Sequence, residues 1–230
     1  MRVTLFIPCF IDSLYPQVGV AMVKILERLG NEVDYPEGQT CCGPPPFNSG
    51  YWDEARAVAA PQLAVFRDAE VVVSASGSCG AMMKKFYPEL FQNRPEEAAA
   101  KTLAAKTFEF SDFLVNKLGV RDLGARFDGR VTFHDGCHGL RELGVREAPR
   151  ELLRAVKGLE LVEMGEGEAC CGFGGMFAVE ICGNFTANIP PKPQHASPSV
   201  ISTSSRPLTA RRSSRGASRT PSSRRPWQPS

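Results

Sequence analysis

The tripeptide Cys41-Cys42-Gly43 recurs as Cys170-Cys171-Gly172, and this duplication constrains the fold more than any other feature of the chain. Each copy has a lone cysteine upstream at nearly the same distance. Cys9 stands 32 residues before Cys41, and Cys137 stands 33 before Cys170. Two matched spacings imply an internal repeat offset by about 128 residues. Cys79, 37 residues after Cys42, completes the first set. Eight cysteines and no secretory leader point to thiolate–metal chemistry more than to disulfides.

The elements around the cysteines follow one order. Residues 2–8 form an apolar run that reads as a buried strand. Val18, Met22, Ile25 and Leu29 then recur at helical spacing, with Gly30 as a stop. Val33 to Tyr35 is a short strand before Cys41, and Trp52 to Phe66 is a helix that Pro61 should kink or divide. Val71 to Val73 is a third strand, and its turn ends in Cys79, which opens a helix through Ala81 and Met82. Residues 95–106 and 110–118 read as helices. Arg130 to His134 repeats the opening strand. A helix starts near Pro149, and Leu159 to Met164 is the strand before the second Cys-Cys-Gly. The expected fold is α/β, with two repeated β-α-β units whose parallel sheets are covered by helices. The repeats are expected at 1–120 and 121–180, the second one incomplete.

Composition changes abruptly after Glu180. Residues 181–230 hold 11 Ser, 8 Pro, seven Arg and one Lys, with no acidic residue. Such a segment cannot bury enough surface to offset its ordering entropy, so it is expected to be disordered. It is either a natural tail or the product of a shifted reading frame. The second reading is favoured, because the break falls where the second repeat needs its last strand and helix. The charge of +2 divides into +8 on this segment and −6 on residues 1–180. A mildly acidic body is a poor nucleic-acid surface. No apolar run approaches the roughly 20 residues of a membrane span. The start of the chain is too short for a signal-peptide core, which places the protein in the cytoplasm. There is no Gly-x-Gly-x-x-Gly, P-loop, flavin fingerprint or Ser–His–Asp arrangement.

In an open α/β sheet the loops at the carboxyl ends of the strands share one edge. Cys9, Cys41, Cys42 and Cys79 all fall on such loops, so four thiols distant in sequence are expected to converge. Four thiolates suit tetrahedral zinc or an iron–sulfur cluster. Structural zinc favours close Cys-x-x-Cys pairs, which this chain lacks. Vicinal cysteines, whose side chains diverge, favour a multi-iron cluster. The dipole of the helix at Cys79 would favour a thiolate there. Gly43, Gly172, Gly174 and Gly175 would let backbone N–H groups approach sulfur. His134 and His138 flank Cys137. His134 is the better functional candidate, as a ligand, a donor to cluster sulfide or a proton carrier. Cys182, 11 residues after Cys171, does not fit the repeat, and His195 is set aside.

Five segments together resemble the cysteine-rich CCG-domain family: Phe6-Ile7-Pro8-Cys9, Thr40-Cys41-Cys42-Gly43, Ser76-Gly77-Ser78-Cys79-Gly80, His134-Asp135-Gly136-Cys137-His138 and Cys170-Cys171-Gly172-Phe173-Gly174-Gly175. Members of that family include the cysteine-rich subunit of heterodisulfide reductase, the iron–sulfur subunit of glycolate oxidase and the small two-repeat lactate utilisation proteins of type A, which this chain resembles most. The resemblance implies an iron–sulfur electron-transfer subunit of an L-lactate oxidising system. Cys9, Cys41, Cys42, Cys79, Cys137, Cys170 and Cys171 would bind the cofactor, with partner subunits that include a ferredoxin-like protein. Ser76 stands where the fuller family pattern has a cysteine. A four-iron, four-sulfide cluster therefore fits better than a five-cysteine, non-cubane one. The closing cysteine of the second repeat is absent. The competing reading is a non-catalytic zinc- or thiol-based scaffold. Thiol–disulfide chemistry by the vicinal pairs ranks below both, because adjacent cysteines close a strained ring.

Overall fold

The computed structural model describes residues 1–165 and 167–169. Cys170, Cys171, Cys182 and the 181–230 segment lie outside the described residues. The fold is α/β, built on parallel strands. Strands β1 (Arg2–Phe6), β2 (Glu32–Asp34), β3 (Val71–Ser74) and β4 (Thr107–Glu109) make a four-stranded sheet in the order β2-β1-β3-β4, with every pairing parallel. Strands β5 (Arg126–Val131) and β6 (Lys157–Leu161) form a separate parallel pair.

Side chains alternate across the large sheet with period two. Val3 and Leu5 of β1 and Val71 and Val73 of β3 face one apolar layer, with Met22 and Leu26 of α2 (Pro16–Arg28) and with Phe113 and Leu114. Phe6 and Val72 face the other layer. There they meet Ala55, Ala59 and Leu63 of α4 (Trp52–Val65), Tyr87 and Leu90 of a short helix (Tyr87–Leu90), and Leu103 of the helix Glu97–Ala105. Both faces of β1 and β3 are covered, which is why these strands read as continuous apolar runs. Burying each such Val, Leu or Phe contributes about 1.5–3 kcal/mol.

Several boundaries differ from the sequence-based expectation, for local reasons. Strand β1 ends at Phe6, because the chain turns at Pro8 into α1 (Cys9–Leu14). A single-turn helix α3 (Pro44–Asn48) follows Gly43, its three prolines sitting in the first turn where no backbone N–H is needed. Helix α4 runs unbroken through Pro61. The proline faces solvent and costs the helix one backbone bond, to the Ala57 carbonyl. Strand β4 was not expected. It is three residues long and lies between two helices, too short for its alternation to register. The second repeat's strands lie earlier than expected, at 126–131 and 157–161 rather than 130–134 and 159–164, and helix Glu147–Arg154 begins before Pro149. Among the described residues no helix is long and apolar enough to cross a membrane.

Candidate thiolate site

Three strands deliver four cysteines to one edge of the large sheet. Strand β1 leads through Ile7-Pro8 to Cys9, the first residue of α1. The chain leaving β2 reaches Cys41 and Cys42 in an irregular loop. Strand β3 leads through Ala75 and Ser76 to α5 (Gly77–Ala81), of which Cys79 is the third residue. Cys42 is 1% exposed and Cys79 is 9% exposed, whereas Cys9 lies open at the surface and Cys41 is half-buried. The site therefore has a buried floor and an open rim.

The four sulfurs form one mutually perturbing set. The neighbouring Cys42 thiol, with further help from the Gly43 N–H and the Cys9 thiol, brings Cys41 down to about 6 against the opposing effect of burial. The same Cys42 thiol is the main influence lowering Cys79, aided by the Ser76 and Ser78 hydroxyls. The neighbouring Cys41 and Cys79 sulfurs, together with burial, push Cys42 well above the ordinary thiol range. Burial raises Cys9, and the neighbouring Cys41 charge raises it further. Within the set, Cys41 and Cys79 are shifted toward the thiolate form, and Cys42 and Cys9 away from it.

The local backbone serves this arrangement. Gly43 has φ +95°, a conformation that side-chain-bearing residues rarely adopt, and its N–H lies 3.4 Å from the Cys41 Sγ. The buried Tyr87 hydroxyl donates to the Cys42 carbonyl at 3.0 Å. Gln62, fully buried on α4, donates from Nε2 to the Thr40 hydroxyl at 2.6 Å. Ser76, at the position where the family pattern carries a fifth cysteine, keeps a polar contact to Cys79 through its hydroxyl.

The residues present fit a thiophilic cofactor by the chemistry of their donors. Four sulfurs perturb one another here, and a cationic centre held by the same atoms would replace their protons and relieve the crowding of like charge. Among the described residues no group of three or more His, Cys, Asp or Glu side chains is arranged to hold a single metal ion.

Cys137 lies in the turn that follows His134-Asp135-Gly136. It is half-buried and precedes the π-helical turn His138–Glu142. Its partners from the sequence reading, Cys170 and Cys171, lie outside the described residues. Both ring nitrogens of His134 are engaged by backbone. Nδ1 accepts the Gly136 N–H at 3.1 Å, which leaves the proton on Nε2, and Nε2 donates to the Ala169 carbonyl at 2.8 Å. In this state His134 ties two backbone segments together, rather than offering a free nitrogen to a metal. The ring of His138 meets the ring of Phe86 edge-on at 5.5 Å. Asp135 is held by a two-pronged contact with Arg150, at 2.6 and 2.8 Å, and Arg150 also reaches Glu163.

Sequence reasoning found the four thiols but missed Gln39, Gln62, Tyr87 and Arg150. Each is an ordinary residue in an ordinary helix or loop, and only the tertiary arrangement gives it a role. Ser76 carried a signal, being the position at which the family pattern has a cysteine.

A parallel sheet whose carboxyl edge gathers Cys9 at the start of α1, a vicinal pair in a loop and Cys79 inside α5 defines a cysteine-rich α/β protein. The chain matches the cysteine-rich CCG domain over residues 3–84 and 131–187. It is 53% identical over 182 residues to lactate utilization protein A of Geobacillus kaustophilus, covering 79% of this chain and 76% of that protein. Over the same shares it is 50% identical to lactate utilization protein A of Bacillus subtilis. The protein of that name from Oceanobacillus iheyensis is 49% identical over 181 residues, which is 78% of this chain and 74% of that protein. The chain belongs to the CCG cysteine-rich domain family, in the branch of the lactate utilization A proteins.

Proposed function

We propose that this protein is an iron–sulfur electron-transfer subunit of an L-lactate oxidising system. The observation that carries the reading is the convergence of Cys9, Cys41, Cys42 and Cys79 at the carboxyl edge of one parallel sheet, half buried and half open. The names of the relatives supply the pathway. Oxidation of lactate to pyruvate releases two electrons and two protons, and these must be collected and passed on.

Cys9, Cys41, Cys42 and Cys79 would hold a four-iron, four-sulfide cluster. Such a cluster, when bound, takes up and releases one electron at a time. The chain's own residues do the rest. Cys42 and Cys79 anchor the floor away from water, while the Gly43 N–H and the Ser76 and Ser78 hydroxyls donate to sulfur and disperse its negative charge. The exposed Cys9 side is the face at which a partner can approach closely enough for electron transfer. We assign Cys137, Cys170 and Cys171 to a second centre, and other subunits of the complex, including a ferredoxin-like protein, to donor and acceptor roles. Reduced thiols of this kind belong in the cytoplasm.

Four convergent thiols are also the donor set of structural zinc, so a zinc-bound scaffold is the second reading. Redox titration separates the two, because zinc takes up no electron. The test of pathway is growth on lactate as sole carbon source with and without the gene. Normal growth of the deletion strain would contradict the lactate role.

A further inference from the structure

The register of the large sheet contains an interruption next to the thiols. Strand β1 pairs with β2 as Arg2 with Glu32, Val3 with Val33 and Thr4 with Asp34. Continued for two residues, that register would set Pro36 opposite Phe6. In a parallel bridge the residue opposite Phe6 donates its N–H to the Leu5 carbonyl and accepts the Ile7 N–H. Proline has no N–H, so it cannot supply the first of these bonds. Strand β2 accordingly stops at Asp34.

The two backbone groups left at the β1 edge are nevertheless satisfied. The side chain of Gln39 donates from Nε2 to the Leu5 carbonyl at 2.7 Å and accepts the Ile7 N–H on Oε1 at 3.1 Å. A primary amide presents the same donor and acceptor as a peptide unit, and Gln39 makes the two bonds that a bridge residue opposite Phe6 would make. Both partners are backbone groups of fixed polarity, so the orientation of the amide is determined.

The position of this clamp gives it a consequence for the site. Ile7 lies two residues before Cys9, and Gln39 lies two residues before Cys41. Cys9 and Cys41 are neighbours whose thiols perturb each other, one at the end of each short arm. The arms have no closer tie in the described hydrogen bonds, since the Cys41 loop is otherwise pinned to other elements, through Thr40 to α4 and through Cys42 to Tyr87.

We propose that Gln39 is the positioning residue that sets the separation of Cys9 and Cys41, by replacing with its side chain the strand pairing that Pro36 forbids. The proposal deepens the reading of these thiols as ligands, but the spacing it describes belongs to the protein alone.

The experiment uses the full chain with Gln39→Leu, which keeps similar bulk and removes both bonds. Gln39→Glu keeps the acceptor for Ile7 and sets a carboxylate against the Leu5 carbonyl, so it serves if the leucine variant fails to fold. Asn31→Ala is the control. It removes comparable side-chain bonds to the Leu26 and Leu29 carbonyls, away from the thiols. Two quantities are read. The first is the rate at which the reduced, metal-free protein forms the Cys9–Cys41 disulfide with oxidised glutathione, followed by mass spectrometry; each bond formed releases two glutathione thiols. The second is the rate at which the anaerobically reconstituted protein loses iron to a chelator.

The expected result is a disulfide rate about tenfold lower in the Gln39 variants, the effect of losing one or two backbone bonds, with faster iron loss and an unchanged control. Disulfide rates in both Gln39 variants equal to the parent's would overturn the proposal, as would an equal drop in the control. If no variant, including the parent, retains iron, the cluster reading fails. The disulfide rates still decide the role of Gln39.

Discussion

A Cβ placed on Gly77 would lie 3.1 Å from the Cα of Gly139 and 3.3 Å from its nitrogen. Helix α5, which carries Cys79, therefore meets the turn after Cys137 backbone to backbone, and Leu143 sits 3.3 Å from the corresponding position on Gly80. The glycines of Ser76-Gly77-Ser78-Cys79-Gly80 are packing residues of a contact between the two repeats.

Gly77→Ala should accordingly destabilise the protein by about 1–3 kcal/mol, because the methyl group meets backbone that cannot rotate aside. Thermal unfolding of the metal-free protein checks this. A melting temperature equal to the parent's would show that the contact is looser than described.

Tyr87→Phe removes the buried donor to the Cys42 carbonyl and leaves that oxygen without its partner. The expected cost is about 1–3 kcal/mol in denaturant unfolding. The thiol of Cys42 should also become easier to alkylate, since the loop loses one of its pins. An unchanged labelling rate would mean that Gln62 and the neighbouring backbone suffice.

The Asp135–Arg150 pair supplies a pH-dependent contribution. Asp135 is 1% exposed and Arg150 is 8% exposed, and the hydrogen bond from the guanidinium holds the Asp135 carboxyl below the usual carboxylate range. A carboxyl whose folded pKa is depressed stabilises the protein above its unfolded pKa, roughly 3.9, and loses that contribution as pH falls through the lower, folded value. Stability measured from about pH 6 down to pH 2 should decline over that window. Arg150→Met leaves a buried carboxylate unpaired and should cost about 3–5 kcal/mol at neutral pH. The loss should shrink as Asp135 is protonated. A loss independent of pH would show that Arg150 acts through packing alone.

Much of this was legible in the sequence, for reasons that the structure makes clear. Val71-Val72-Val73 announced a strand because both faces of the sheet are covered, and Met22 and Ile25 announced α2 because one face of that helix meets the sheet, although Val18 of the same expected stripe is exposed. Convergence of the four thiols followed from topology, since loops at the carboxyl ends of parallel strands share an edge. The supporting contacts were not legible. Gln39 acts through a strand register that no local pattern encodes, and Arg150 acts through a turn 15 residues away. His134 attracted attention as a histidine beside a cysteine, yet its ring is engaged with the Gly136 and Ala169 backbone.

The central claim, that Cys9, Cys41, Cys42 and Cys79 hold an iron–sulfur cluster, is tested most directly by anaerobic reconstitution of the full chain with iron and sulfide, followed by EPR of the reduced protein. The expected result is a brown protein with a reducible signal. The signal of this first site should disappear in Cys42→Ser and Cys79→Ser variants whose unfolding is otherwise near that of the parent. A colourless protein that takes up zinc and gives no signal on reduction would contradict it, as would a signal indifferent to both substitutions.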